Sequence, residues 1–262
     1  MSSLNFNLQE MMTVAASRML AADDVCFVGI GLPSAAANLA RLTHAENIKL
    51  IYESGTLDTK PKTLPLSIGD GELSDTALSV ISVPEMFRYW LQGGKIRTGF
   101  LGAAQVDRFA NINTTVIGPY DAPKVRLPGA GGAPLIASHC QRVLITLRHS
   151  KRAFVEQLDF ITSVGFYEGG NSREELGLRG QGPVMVITDL GILEPDPISR
   201  ELVLTHLHPG VSVEQVITAT GWPLKIDADL KTTPAPTAEE LYLLRELNAR
   251  TQEAYAPDGL ST

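Results

Sequence analysis

The stretch VCFVGIGLPSAAANLARLTHAENIKLIYESG, residues 25–55, decides the fold. It opens with an apolar run that predicts a buried strand over 25–31, and a second such run extends from Ile48 to Tyr52. Between the two runs, Pro33 predicts the first turn of a helix that continues to about Leu42. A strand, a helix and a strand in this order favour an α/β fold with a mainly parallel central sheet.

The same alternation continues along the chain and predicts one domain over 1–262. Apolar periodicity predicts further helices over Leu8–Ala21, from Pro84 to the glycines at 93 and 94, over 211–221, and at the C-terminus over about 237–251. Further strands are predicted over 98–107, 113–118, 142–147, 183–193 and 201–210. The segment 166–183 is rich in glycine and charge and predicts a long surface loop with one helical turn.

Composition excludes several classes of function. A net charge of −7 argues against a nucleic-acid partner. No apolar run approaches the ~20 residues that span a bilayer, and the N-terminus lacks the pattern of a signal peptide, so we expect no membrane partner and a cytoplasmic location. Cys26 and Cys140 are predicted to be buried thiols. His206 and His208 are expected on one surface face, and the five histidines predict no metal site.

Glu53 follows the apolar run from Ile48 to Tyr52 directly and is followed by Ser54 and Gly55. Glutamate is uncommon in strands, and a carboxylate that is ionised at neutral pH can act as a base or as a nucleophile. An acid at a strand end can equally cap a turn or form an ion pair. In parallel sheets, ligands bind at the carboxyl ends of strands, where Glu53 is expected to lie.

Glycine-rich turns follow two other predicted strands. Gly129, Gly131 and Gly132 precede Pro134, and exposed amides in such a turn can hold a phosphate or an oxyanion. Gly29 and Gly31 form a similar turn, and either turn can instead be a tight connection from a strand to a helix. Neither has the spacing of a dinucleotide-binding or phosphate-loop motif.

A third polar cluster follows the strand predicted over 98–107. It includes Gln105 and Asn111, which can belong to a binding site or to an Asx-rich turn. Arg126 and Arg173 are candidates, by residue type only, for holding a carboxylate, and each can also be an ordinary surface arginine.

Four motifs in the same order carry a resemblance that extends from about Met11 to residue 250: IYESGTLDTKP, LGAAQVDRFANINTTVIG, LPGAGGA and ITDLGILEPD. Together they resemble the B subunit of the family I coenzyme A transferases, in the branch of the glutaconate and 3-oxoadipate enzymes. The resemblance implies a single-domain CoA-transferase-type fold and an active site shared with an A subunit, in a heterodimer or a heterotetramer. One departure is visible, because a glycine is expected where Ala110 stands.

The resemblance also implies roles for residues. Glu53 matches the nucleophilic glutamate, and the glycines at 129, 131 and 132 match a turn associated with the oxyanion hole and with CoA binding. Ser54, Gly55, Gly29, Gly31, Gln105 and Asn111 are expected to line the site. Coenzyme A is then a substrate, carried by acyl-CoA esters, and no cofactor is expected.

The expected reaction is transfer of CoA from an acyl-CoA, such as succinyl-CoA, to a dicarboxylic acid such as 3-oxoadipate. Glutaconate is an alternative acceptor. Hydrolases and decarboxylases of CoA esters share this scaffold, but Glu53 favours transfer. A ligand-sensing domain of a transcription regulator is a further alternative, against which the acidic chain argues.

Overall fold

A ten-stranded sheet forms the centre of the protein, as seen in a computed structural model that describes residues 5–256. The described residues contain fourteen strands, of which β6 with β7 and β8 with β9 form two separate two-stranded sheets. The strands are β1 (Val25–Phe27), β2 (Lys49–Ile51), β3 (Thr56–Leu57), β4 (Ser79–Val80), β5 (Thr98–Gly102), β6 (Gln105–Val106), β7 (Ile112–Asn113), β8 (Val116–Ile117), β9 (Val125–Arg126), β10 (Arg142–Thr146), β11 (Pro183–Ile187), β12 (Gly191–Pro195), β13 (Leu202–Leu207) and β14 (Lys225–Thr232). The helices are α1 (Leu8–Ser17), α2 (Leu32–Leu42), α3 (Gly71–Asp75), α4 (Val83–Glu85), α5 (Ala133–His139), α6 (Ser172–Glu175), α7 (Val213–Ala219) and α8 (Ala238–Ala254). A π-helical segment, Met86–Leu91, continues α4.

The order of the strands in this sheet is β14-β13-β12-β11-β10-β5-β1-β2-β3-β4. Its central block, from β11 to β2, is parallel throughout. Antiparallel pairs flank this block on both sides, and β14 pairs in parallel with β13 at one edge. This arrangement confirms the predicted α/β fold with a mainly parallel sheet.

Both faces of the central parallel block are buried, and side chains alternate between the two faces along each strand. Leu50 and Tyr52 face the core formed with α1 and α2. Ile51, between them, faces the other core, which includes Ile136 of α5. Strands covered on both sides appear in the sequence as continuous apolar runs, which is why Ile48 to Tyr52 could be identified.

Local signals placed several helix ends correctly. Asn7 caps α1, and Thr237 caps α8 in a reciprocal arrangement with Glu240. The first helix ends at Ser17 rather than at Ala21, and α8 extends three residues beyond the predicted end at 251.

Four predictions about the strands and histidines were wrong. The run 183–193 forms two antiparallel strands, because the Thr188 hydroxyl accepts hydrogen bonds from the amides of Leu190 and Gly191 and closes a tight turn. The predicted strands 98–107 and 113–118 are likewise interrupted, the first between β5 and β6 and the second between β7 and β8. His208 is buried rather than on the surface, with Nε2 2.8 Å from the carbonyl oxygen of Thr188. Cys26 and Cys140 are buried free thiols, as predicted.

Candidate active site

Glu53 lies in the tight turn that joins β2 to β3, at the carboxyl end of the parallel block. Two main-chain hydrogen bonds close this turn, from the Tyr52 amide to the Thr56 carbonyl (3.2 Å) and from the Gly55 amide to the Tyr52 carbonyl (3.0 Å). The half-buried Glu53 side chain is therefore carried by a short hairpin and not by a free loop.

Tyr52 anchors this hairpin to α2. Its side chain is fully buried, and its hydroxyl lies 2.7 Å from Ser34 Oγ. Burial raises the pKa of Tyr52 to about 12, so the hydroxyl stays protonated and hydrogen-bonded at neutral pH. The residue before Glu53 is thus held by the core.

Gly55 fixes the other side of the turn. Its φ is +97°, and a Cβ atom there would lie 2.0 Å from the carbonyl oxygen of Ile81. The Ile81 amide donates in turn to the Gly55 carbonyl at 3.0 Å. Only glycine allows this close approach of the hairpin to the chain that follows β4.

The glycine-rich turn at 129–132 faces Glu53 from the start of α5. Gly129 exchanges two hydrogen bonds with Thr114, through its amide (2.9 Å) and its carbonyl (2.8 Å). Within the described part of the chain, the amides of Ala130, Gly131 and Gly132 donate no hydrogen bond. These three donors are available to a ligand.

A cavity of about 560 Å³ brings the hairpin and the glycine turns together. Five of the predicted residues line it: Glu53, Gly29, Gly129, Gly131 and Gly132. The rest of its lining is mostly apolar and comes from the ends of β1 and β5 and from the start of α5. Among residues 5–256, no basic side chain forms an ion pair with Glu53.

The other five predicted residues do not line this cavity. Ser54 and Gly55 lie in the hairpin turn itself, and the buried Ser54 hydroxyl has no hydrogen-bond partner among the described residues. Gly31 caps the start of α2 and lines a different cavity, of about 470 Å³, together with Leu244 of α8. A role for these residues in the site stays a prediction.

Gln105 and Asn111 are buried, and each is hydrogen-bonded to its own set of partners. Gln105 donates to Asp159 (3.0 Å) and accepts from Asn113 (2.7 Å). Asn111 accepts from the amides of Gly165 (2.9 Å) and Tyr167 (3.0 Å), so it holds the segment after 163 against the turn at 107–111. Both side chains are committed to structural contacts, and their part in catalysis also stays a prediction.

The turn at 107–111 has two further features, which concern Asp107 and Ala110. Asn111 also donates to Asp107 at 2.8 Å, and burial raises the pKa of that carboxyl. Ala110, where a glycine was expected, has a φ of +57°. The turn therefore keeps the left-handed conformation that usually requires glycine.

Neither candidate arginine reaches the Glu53 cavity. Arg173 is neither a site residue nor an ordinary surface arginine, because its side chain is buried. It donates hydrogen bonds to the carbonyls of Gly165, Ala137 and Arg179. Arg126 is exposed and lies over the ring of Tyr120.

Phe87 is a neighbour of Glu53 that the sequence did not reveal. A Cβ atom built on Gly132 would lie 2.7 Å from Phe87 Cζ and 3.2 Å from Glu53 Oε1. Phe87 belongs to the π-helical segment, and nothing in PEMFRYWLQGG distinguishes a π-helical turn from an α-helical one. The sequence predicted only a helix here, from Pro84 to the glycines at 93 and 94.

Two kinds of feature are absent from the described residues. No group of three or more His, Cys, Asp or Glu side chains is arranged there to hold a metal ion. None of the helices within residues 5–256 is long and apolar enough to cross a bilayer. The cytoplasmic location and the absence of a metal from the reaction stay predictions.

Comparisons with known proteins show that the chain is similar to one family of enzymes. A family model described as coenzyme A transferase matches residues 9–219. The B subunit of 3-oxoadipate CoA-transferase from Pseudomonas knackmussii is 61% identical over 254 residues, which cover 97% of this chain and 98% of that protein. The B subunit of glutaconate CoA-transferase from Acidaminococcus fermentans is 34% identical, with 92% of each chain covered. The crystal structure of glutaconate CoA-transferase from Acidaminococcus fermentans superposes with a TM-score of 0.88 at 33% identity, covering 95% of this chain and 96% of that one.

Proposed function

Because the chain belongs to the coenzyme A transferase family, we propose that it is the B subunit of a two-chain enzyme that moves CoA from an acyl-CoA to a dicarboxylic acid. The acceptor we propose is 3-oxoadipate, the acid in the name of the relative that is 61% identical. The donor we propose is succinyl-CoA. Glutaconate is the alternative acceptor, since it is the acid in the name of the relative that is 34% identical. We propose that no cofactor takes part and that coenzyme A is itself a substrate.

Glu53 is the proposed nucleophile. One of its carboxylate oxygens attacks the carbonyl carbon of the acyl-CoA thioester. A C–O bond forms, the C–S bond breaks, and CoA leaves as a thiolate. The product is a mixed anhydride between the acyl group and Glu53. Positioning of such a weak nucleophile against its target can contribute about 7–11 kcal/mol to lowering the barrier.

The thiolate then attacks the Glu53 carbonyl carbon of the anhydride. This releases the donor acid as a carboxylate and leaves a thioester between Glu53 and CoA. The acceptor carboxylate attacks this thioester, which re-forms an anhydride and the thiolate. Attack of the thiolate on the acceptor carbonyl yields the new acyl-CoA and restores the Glu53 carboxylate, so the cycle needs no net proton.

The observation that carries this proposal is that Glu53 and the glycine turn at 129–132 line the same cavity. Each attack places negative charge on a carbonyl oxygen, and the free amides of Ala130, Gly131 and Gly132 are suitable donors to that oxygen. Loss of one such donor typically costs about 3 kcal/mol of transition-state stabilisation. The apolar remainder of the lining reduces the access of water to the intermediates.

An A subunit completes the proposed enzyme. The two relatives are both named as B subunits. Beside the hairpin that carries Glu53, apolar side chains remain exposed, including Leu78 (80% exposed), Val80 and Val83. Exposed apolar surface of this kind is typical of a chain that associates with a partner. We expect the chain to be inactive and prone to self-association without that partner.

The test is an assay of the co-expressed A and B subunits with succinyl-CoA and 3-oxoadipate. Transfer produces 3-oxoadipyl-CoA and succinate in equal amounts, whereas a hydrolase produces free CoA and succinate. Replacing 3-oxoadipate by glutaconate identifies the preferred acceptor. Formation of free CoA alone by the intact complex would contradict the proposal.

A further inference from the structure

Phe87 lies behind the lining of the Glu53 cavity without being part of that lining, and it has no role in the steps described above. Its side chain is half-buried, and its ring centroid lies 6.1 Å from that of Phe27, which lines the cavity. Phe87 also packs against the core on the α5 side of the sheet. The ring therefore lies at the boundary between the core and the cavity.

Phe87 and Glu53 approach the same side of Gly132. The point where a Cβ atom would stand on Gly132 lies 2.7 Å from Phe87 Cζ, 2.9 Å from Phe87 Cε1 and 3.2 Å from Glu53 Oε1. Those two carbons form the outer edge of the ring. The aromatic edge and the carboxylate oxygen thus share the space over Gly132 and leave no room for a methyl group.

We propose that Phe87 is a positioning residue that fixes the Glu53 carboxylate against the glycine turn and keeps water from it, so that the covalent intermediates proceed to transfer rather than to hydrolysis. This inference rests on the proposed function, because it concerns the fate of the Glu53 anhydride and thioester.

An aromatic edge suits this task for an electrostatic reason. The edge of a phenyl ring carries a partial positive charge, so it is a favourable neighbour for a carboxylate. Unlike a lysine or arginine, it does not neutralise the carboxylate, which remains a competent nucleophile. The ring also occupies volume that water would otherwise fill, and electrostatic interactions are stronger where water is excluded.

The backbone around Phe87 has an unusual hydrogen-bond pattern that sets the direction of the ring. The amide of Gln92 donates to the Phe87 carbonyl, five residues earlier, at 2.9 Å. Gly93 follows, where a Cβ atom would lie 2.1 Å from the carbonyl oxygen of Tyr89. Single π-helical turns are rare and occur frequently at functional sites, because they change the direction of the side chains that they carry.

Water that reaches either intermediate ends the reaction without transfer. Addition of water to the anhydride gives two carboxylates and two protons. Addition of water to the thioester gives the Glu53 carboxylate, CoA thiol and one proton. Both routes restore Glu53 and leave free CoA, so the ratio of free CoA to new acyl-CoA measures the failure of water exclusion.

The experiment compares this ratio among variants of this chain co-expressed with the A subunit. Phe87→Ala removes the ring, and Phe87→Leu keeps an apolar side chain in the same space. We expect the ratio of free CoA to new acyl-CoA to rise by roughly tenfold in Phe87→Ala and by less in Phe87→Leu. The control is Tyr89→Ala, which removes an exposed aromatic ring from the same segment and is expected to keep the wild-type ratio.

The outcomes separate this inference from the proposed function. A wild-type complex that makes no new acyl-CoA would contradict the proposed function itself. A wild-type complex that transfers CoA, with Phe87 variants that are slower but retain the wild-type ratio, would overturn the role of Phe87. If Phe87→Ala does not fold, the ratio in Phe87→Leu decides, with an unchanged ratio counting against the inference.

Discussion

A methyl group on Gly132 would lie 3.2 Å from Oε1 of Glu53, although 79 positions separate the two residues along the chain. Gly132 lies at the start of α5, and Glu53 lies in the hairpin after β2. The fold brings them together because both elements are at the carboxyl end of the parallel block. Any side chain at position 132 would therefore press on the Glu53 carboxylate and change its position.

The first prediction concerns Gly132→Ala. The added Cβ atom meets the Phe87 ring at 2.7 Å and Glu53 Oε1 at 3.2 Å, so one of them must move. We expect kcat for CoA transfer to fall by about 10- to 100-fold, since small displacements of reacting groups have effects of this size. The measurement is steady-state transfer by the complex with the A subunit.

Gly71→Ala is the matched control for this prediction. A Cβ atom on Gly71 meets nothing within 4 Å, so this variant is expected to retain wild-type transfer. A Gly132→Ala enzyme as active as the Gly71→Ala enzyme would show that the contact with Glu53 is irrelevant to catalysis.

The second prediction concerns the rigidity of the hairpin. Gly55→Ala combines a φ of +97° with a Cβ atom 2.0 Å from the carbonyl oxygen of Ile81. We expect the free energy of unfolding to fall by more than about 2 kcal/mol, because left-handed strain and a backbone clash add together. Denaturant unfolding monitored by circular dichroism measures this loss, and a stability within ~0.5 kcal/mol of wild type would disprove the packing of Gly55 on Ile81.

The third prediction concerns stability in acid. His149 is buried and stacked on Phe154, with ring centroids 3.7 Å apart. Burial lowers the pKa of His149 from its ordinary value of 6.5 to about 4, although the Asp189 carboxylate acts in the opposite direction. The unfolded chain therefore binds a proton that the folded chain does not. Stability is complete above pH 6.5 and is lost between pH 6.5 and about 4, by up to ~3 kcal/mol.

The variant His149→Phe tests this assignment, because it keeps an aromatic ring beside Phe154 and cannot titrate. The hydroxyls near His149 keep other partners, since Thr220 donates to the Val216 carbonyl and Thr188 to the Gly191 carbonyl. Unfolding free energies of the variant should change less between about pH 7 and pH 4.5 than those of wild type. His44→Gln, at an exposed position, is the control, and equal pH dependence in wild type and His149→Phe would refute the prediction.

The sequence predicted those features of the site that depend on local pattern. A continuous apolar run followed by Glu53 indicates a central strand that ends in an acid, and glycines before Pro134 indicate a turn into a helix. Parallel topology then places both at one end of the sheet. The resemblance to the coenzyme A transferases, rather than the pattern of strands, predicted that Gly129, Gly131 and Gly132 share a site with Glu53.

Other features depend on contacts that a single sequence does not display. Gly31 follows Gly29 by two positions, yet it lines a different cavity, since the chain turns into α2 between them. Asn111 and Gln105 are polar residues after a strand, as active-site residues often are. Residues distant in the sequence bind them instead, Asp159 in the case of Gln105 and Gly165 in the case of Asn111. The run 183–193 is apolar on both sides of Asp189, so periodicity did not reveal its hairpin.

The central claim is that Glu53 becomes covalently attached to the substrate, and a trapping experiment tests it most directly. The complex of the A and B subunits is incubated with succinyl-CoA alone, treated with hydroxylamine, digested and analysed by mass spectrometry. We predict a hydroxamate on Glu53, in the peptide that contains Ser54 and Gly55, and no such adduct in Glu53→Ala, which should still assemble with the A subunit. A wild-type complex that transfers CoA but carries no adduct at Glu53, or a Glu53→Ala complex that retains full transfer, would contradict the account.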